Sequence, residues 1–173
     1  MVAGIKNLTI ENWLQADPTA SIFVKVSLLD GKAVKMSGDD WAKQFLEPAL
    51  ADSVPENVRL LFEVARGSLA YGYFFYPLYT LAGEQLCRVV ESAILAKCRL
   101  VGAPAKANSF DAMVKYLRSK GFLSEEDASW YQEIRRSRNS SSHPQQQTIL
   151  PPGAIASQLT RITWNLNRLF VDD

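Results

Sequence analysis

Residues 134–144 read IRRSRNSSSHP and hold three arginines, an asparagine and the only histidine of the chain. Arg138, Asn139 and His143 are residue types that suit cleavage of an RNA phosphodiester without a metal. Such cleavage needs a base to take the proton from the ribose 2′-hydroxyl, a cation to hold the charge that builds on the phosphorane, and an acid to protonate the departing 5′ oxygen. Histidine exchanges protons near neutrality and serves as base or acid. A guanidinium stays charged and binds two phosphate oxygens at once. An arginine at a helix end and a histidine in the following turn can face one phosphate. With one histidine per chain, a histidine pair needs two chains, and a twofold axis would bring two Arg138 and two His143 to a shared cleft. The competing reading of the same residues is an exposed loop in which Asn139 ends a helix and His143-Pro144 begins a turn.

Other chemistries find no support in the residue pattern. One histidine and two cysteines, Cys87 and Cys98, give no zinc-ligand spacing. There is no phosphate-binding loop of the G-x-x-x-x-G-K-[ST] or G-x-G-x-x-G kind, and no G-x-S-x-G stands out for a serine hydrolase. The acidic run Glu125–Asp127 reads as a helix cap rather than a metal site. No metal and no cofactor are therefore expected.

Composition sets outer bounds. The chain of 173 residues is 47% hydrophobic and 21% charged, as in ordinary soluble globular proteins. A net charge of +1 excludes binding of nucleic acid through bulk positive charge but leaves room for a local basic site. Cys87 and Cys98 fall on one expected helix, ~16 Å apart along its axis, too far for a disulfide. Together with an N-terminus, MVAGIKNLTI, that lacks the apolar core of a signal peptide, this points to a reducing cytoplasm. The most apolar run, LAYGYFFYPLYTLAG (69–83), is shorter than the ~20 residues of a membrane span and is read as buried helix. Its aromatics are assigned to the core or a subunit contact, because base-stacking platforms carry interleaved positive charge and this run has none.

These residues must be positioned by elements that the periodicity outlines. SIFVKVSLL alternates, with Ile22, Val24, Val26 and Leu28 on one side, and KAVKM follows Asp30-Gly31. That pattern predicts a β-hairpin with a type I′ turn and an apolar face resting on the helices. WAKQFLEPAL gives a short helix that Pro48 interrupts or ends. Helical spacing then runs from Pro55 to Tyr73 and from about 81 to 101, followed by the short FDAMVKYLRS with a glycine stop at Gly121. Ser124–Asp127 resembles a capping box ahead of Trp130, Tyr131 and Ile134. Ile155, Leu159, Ile162, Leu166 and Leu169 mark the last helix. The expected architecture is mainly α: residues 1–53 form an N-terminal extension with a β-hairpin, and residues 54–173 a helical bundle.

LAGEQLCRVVESAI, SFDAMVKYL, GFLSEEDASWYQEIRRSRN and the RNSSSHP that follows occur in this order. The arrangement resembles the HEPN superfamily (higher eukaryotes and prokaryotes nucleotide-binding). Its signature is an arginine, a polar residue that is commonly Asn, Asp or His, and a histidine four to six residues beyond the arginine, between one bundle helix and the last. Arg138, Asn139 and His143 match it in type and spacing. The resemblance spans roughly residues 55–171 and leaves the hairpin region unmatched. It implies a four- to five-helix up-and-down bundle that works as a homodimer, and often a metal-independent endoribonuclease of toxin–antitoxin, phage-defence or RNA-processing systems, with an antitoxin or other protein as a possible partner. On that reading Arg138 stabilises the scissile phosphate, His143 transfers protons, Asn139 orients the histidine or the phosphate, and Arg135 and Arg136 steer the RNA backbone. Glu91 matches the family's helix glutamate without a role that follows from it. Members that only bind nucleotides or proteins supply the alternative, a non-catalytic binding module.

Overall fold

The computed structural model describes residues 5–27, 29–141 and 151–171, and the side chains of these except 21, 22 and 137–141. Six α-helices dominate: α1 (Gly38–Leu46), α2 (Glu56–Tyr71), α3 (Leu78–Leu100), α4 (Phe110–Ser119), α5 (Glu125–Ser141) and α6 (Pro152–Leu169). Two short strands, β1 (Val24–Val26) and β2 (Ala33–Lys35), form a small antiparallel sheet near the N-terminus. The protein is a mainly α bundle with an N-terminal hairpin, as its periodicity predicts.

The long helix α3 lies at the centre, with α2, α4, α5 and α6 packed against it, while α1 packs on α2 and α6. Its sequence explains the position. Leu86, Val89, Val90, Ala93 and Ile94 are fully buried, a near-continuous apolar surface that suits a helix surrounded by others. Trp41 and Phe45 of α1 are equally buried in the same core, so residues before 54 contribute to the body of the bundle. The helix starts follow local chemistry. Ser37 and Asp40 form a reciprocal capping box on α1, and Ser109 Oγ accepts from Ala112 N (3.2 Å) on α4. Gly121, at φ 81°, supplies the left-handed stop after α4.

Two expectations are corrected. The run 69–83 is not one buried helix: α2 ends at Tyr71 and α3 begins at Leu78, with Gly72–Pro77 as the connection. Tyr76 and Tyr79 enter the core, whereas Tyr71 is 64% exposed. Pro77 has no backbone N–H to continue a helix and suits a helix start.

The hairpin also differs. Only Gly31 has a positive φ, 69°, and Asp30 does not, so the turn is not type I′, which needs φ > 0 at both central residues. The loop is wider, closed by Ser27 N donating to Lys32 O (2.8 Å). The register pairs Val24 with Lys35, Lys25 with Val34 and Val26 with Ala33. Directly opposed residues share a face, so Val34 lies with Lys25, not with Val24 and Val26. The Lys25 face turns inward, where Lys25 Nζ meets Asp40 Oδ1 at 2.5 Å. Phe23 and Met36 anchor the strand ends on the core, Phe23 through the rings of Trp41 (5.3 Å) and Tyr76 (6.3 Å). Val24 and Val26 are left 56% and 66% exposed. The predicted apolar face thus points away from the helices, because aromatic contacts at Phe23 fix the pleat in the opposite sense.

Candidate functional site

Helix α5 carries the arginines of the site and is held at three places. At its start, Ser124 Oγ accepts from Asp127 N (3.0 Å) and Asp127 Oδ2 accepts from Ser124 N (3.2 Å), the capping box read from the sequence. On one side α4 grips it: Arg118 Nη1 meets both Glu125 oxygens (2.8 and 2.9 Å) and Gln132 Nε2 donates to Asp111 Oδ1 (3.0 Å). From α6, Arg168 bonds Asp127 and Arg161 stacks on the Trp130 ring at 4.9 Å. Ala128, Trp130, Tyr131 and Ile134 form the buried stripe beneath these contacts.

The acidic first turn and the basic last two turns of α5 both oppose the helix dipole favourably. Arg135 is half-buried and Arg136 exposed. Arg138 follows Ile134 by four residues on the helical backbone and so shares its face, ~6 Å further along the axis. Ile134 marks a crossing with α3, since its carbonyl lies 4.0 Å from Cys87 Sγ. Glu91, half-buried on α3, stands one turn from Cys87. The helix continues past Asn139 to Ser141, so Asn139 does not end it. The side chains of Arg138 and Asn139 lie beyond the described ones, and His143 lies outside the described residues. The chain re-enters at Pro151 and starts α6 at Pro152.

A cleft of about 260 Å³ opens between α4 and α5, lined by Asp111, Lys115, Arg118, Ser129, Gln132 and Arg136 among others. The Asp111 carboxyl is held below its ordinary range, first by its hydrogen bond with Lys115, then by the nearby charges of Lys115 and Arg135 and by Gln132. Lys115 Nζ lies 2.8 Å from Asp111 Oδ2. This cleft was not legible in the sequence. Asp111 and Lys115 show as an i,i+4 pair, but their meeting with Gln132 and Arg136 depends on how α4 and α5 pack.

The chemistry available is that of cations and amide groups carried along one helix. Arg136 opens into the cleft, Arg135 flanks it electrostatically, and Arg138, two residues beyond Arg136, leaves the backbone on roughly the opposite side of the helix. Among the described residues no cluster of three His, Cys, Asp or Glu side chains could hold a metal ion. Cys87 and Cys98 are both buried on α3 and unbridged. Among the described residues no helix is long and apolar enough to cross a membrane. Compared with protein-family models, with curated proteins and with solved structures, the chain finds no match.

Proposed function

We propose that this protein is a cytoplasmic, homodimeric, metal-independent endoribonuclease of HEPN type. Arg138 stabilises the phosphorane, His143 transfers the proton to or from ribose and leaving oxygen, and Asn139 orients one of them. The observation that carries the reading is that Arg138 and Asn139 lie in the last turns of α5, with His143 following them in the sequence and Arg135 and Arg136 in the turn before Arg138. A guanidinium that can reach the scissile phosphate would stabilise the charge that develops on the phosphorane. Total RNA incubated with the purified protein in EDTA is expected to yield fragments with 2′,3′-cyclic phosphate ends. Both Arg138→Ala and His143→Ala are expected to abolish this cleavage, and cleavage that survives His143→Ala would sink the proposal.

The cleft between α4 and α5 favours a second reading, a module that binds a nucleotide, RNA or a partner protein without cutting. Its paired charges, Asp111 with Lys115 and Arg118 with Glu125, offer donors and acceptors beside Arg136. Binding that is unchanged in His143→Ala but lost in Arg136→Ala, with no cleavage by wild type, selects this reading.

A further inference from the structure

Helix α6 carries an open aromatic ring between two cations. Arg161, Trp164 and Arg168 follow one another at intervals of three and four residues and so share one face. Trp164 is 57% exposed, although the Arg168 guanidinium lies 4.1 Å from its ring centre. Arg168 also bonds the buried carboxylate of Asp127, which fixes its planar group beside the indole. Arg161 is held more loosely. It faces Glu126 at 3.7 Å, and that carboxylate is 88% exposed, so the pair meets its charge only weakly. Helix α6 itself contains no aspartate or glutamate.

Trp164 and Arg161 line a groove of about 610 Å³ between α6 and α1, with Gln44 on the α1 side and Ser157 and Thr160 along α6. The Ser157 and Thr160 hydroxyls donate to carbonyls one turn back in their own helix and can still accept. Together with the Gln44 amide they offer both kinds of hydrogen-bonding group beside the indole. At Gly153, where the groove reaches the start of α6, an added methyl group meets nothing within 4 Å.

We propose that this groove binds single-stranded RNA, with a base stacked on Trp164 and a neighbouring phosphate held by Arg161. An exposed indole alone would suit many partners. Cations at both flanking positions, on a helix without an acid, select an anionic strand whose flat units can stack. The aromatic run 69–83 lacks that interleaved charge. The place in the fold agrees. Asp127, Trp130, Ile134 and residue 138 form one stripe of α5, and α6 covers its first part, Arg168 at Asp127 and Arg161 at Trp130. These contacts make the two helices antiparallel, so following α6 back toward its start leads to the end of α5. Residue 138 stands ~12 Å beyond Trp130 along the axis, a distance that a few nucleotides span. Arg136 and the cleft between α4 and α5 face away from this stripe.

The platform takes RNA as its ligand from the nuclease reading, and binding and cleavage are measured apart. Binding is followed by the anisotropy of a fluorescein-labelled single-stranded oligoribonucleotide of mixed sequence, in EDTA, on the full chain carrying His143→Ala so that the probe stays whole. Adding Trp164→Ala should weaken binding about ten-fold or more, while Trp164→Phe keeps most of the affinity. Arg161→Ala should reduce the salt slope by about one. Ser157→Glu, a negative charge entering the groove from an exposed position, should weaken binding as well, and Tyr71→Ala, an exposed aromatic on α2, should leave it unchanged. Unaltered affinity in both Trp164→Ala and Ser157→Glu overturns the platform. Binding lost in Arg136→Ala but kept in Trp164→Ala also overturns it and moves the RNA to the cleft between α4 and α5. A parent that binds no RNA overturns it too and leaves the groove to a protein partner. Failure of the nuclease reading looks different. A wild-type chain that cuts nothing yet binds the probe through Trp164 removes the nuclease and keeps the platform, whereas wild-type cleavage with a KM unchanged by Trp164→Ala keeps the nuclease and removes the platform.

Discussion

At residue 72 the packing leaves no room for a methyl group, because a Cβ there would run into the ring of Tyr79. That ring is fixed from several sides: it is fully buried, its hydroxyl accepts from the Trp41 indole N–H, and it packs on Phe45 (5.8 Å) and Tyr76 (5.2 Å). Burial raises the Tyr79 hydroxyl far above its ordinary pKa, so it stays neutral and the indole bond persists across the working range of pH. Gly72→Ala is therefore expected to destabilise the fold by ~1–3 kcal/mol through overpacking. Gly153→Ala, where an added methyl meets nothing within 4 Å, should stay within ~0.5 kcal/mol, and urea denaturation of the two variants checks the contrast. Asp40 sets an acid limit of a different kind. Its carboxyl is held well below the ordinary range by the hydrogen bond from Lys25 and then by those of the Ser37 backbone and hydroxyl. A lowered folded-state pKa gives stability that is present above the unfolded value, ~3.9 for aspartate, and is lost as pH falls through the folded value. The melting temperature should thus fall on acidification below about pH 4, and Asp40→Asn should flatten that part of the profile. An unchanged slope in Asp40→Asn would show that the Lys25–Asp40 link does not couple the hairpin to α1.

The elements divide by how local their causes are. The capping box of α5, the glycine stop after α4 and the apolar stripe of α6 are each set by residues within a turn or two of one another, and each was legible in the sequence. The hairpin's existence was also legible, since alternation and the Asp30-Gly31 pair are local signals. Its orientation was not, because Val24 and Val26 against Phe23 and Lys25 is a choice made by distant partners, the rings of Trp41 and Tyr76 and the carboxylate of Asp40. The same division holds for the candidate site. Residue types and spacing in the sequence mark Arg138, Asn139 and His143, whereas the cleft that Arg136 shares with Asp111 and Gln132 arises only when α4 meets α5. The inverted hairpin can be tested directly. The double variant Val24→Thr/Val26→Thr alters only exposed side chains and should change stability by less than ~0.5 kcal/mol. Phe23→Ala removes a partly buried ring from an aromatic cluster and should cost about 2 kcal/mol. Equal losses in the two variants would mean that the valine face is covered in solution.

The bundle as a whole is organised around one helix. Four of the other five helices pack against α3, and its fully buried residues Leu86, Val89, Val90, Ala93 and Ile94 can reach water only if those neighbours separate. Periodicity marks α3 as a helix but says little about its rank, because centrality is decided by which faces of α2, α4, α5 and α6 find partners, a property of all five sequences together. At the other extreme stands the hairpin, two strands of three residues joined to the core chiefly through Phe23 and Met36, with every strand residue exposed. A protein built this way should open in parts. Amides between Leu86 and Ile94 have no local route to exchange and should report the global unfolding free energy, ~5–15 kcal/mol for a domain of this kind. The hairpin amides, among them Ser27 N bonded to Lys32 O, can open with the loss of little buried surface, since an isolated two-stranded hairpin is marginal in water. Native-state hydrogen exchange is therefore expected to show hairpin protection several kcal/mol below that of α3, with denaturant shifting the α3 amides strongly and the hairpin amides hardly at all. If the hairpin exchanges as slowly as α3, its valine face is not solvent-exposed in the working assembly, and a second chain covers it.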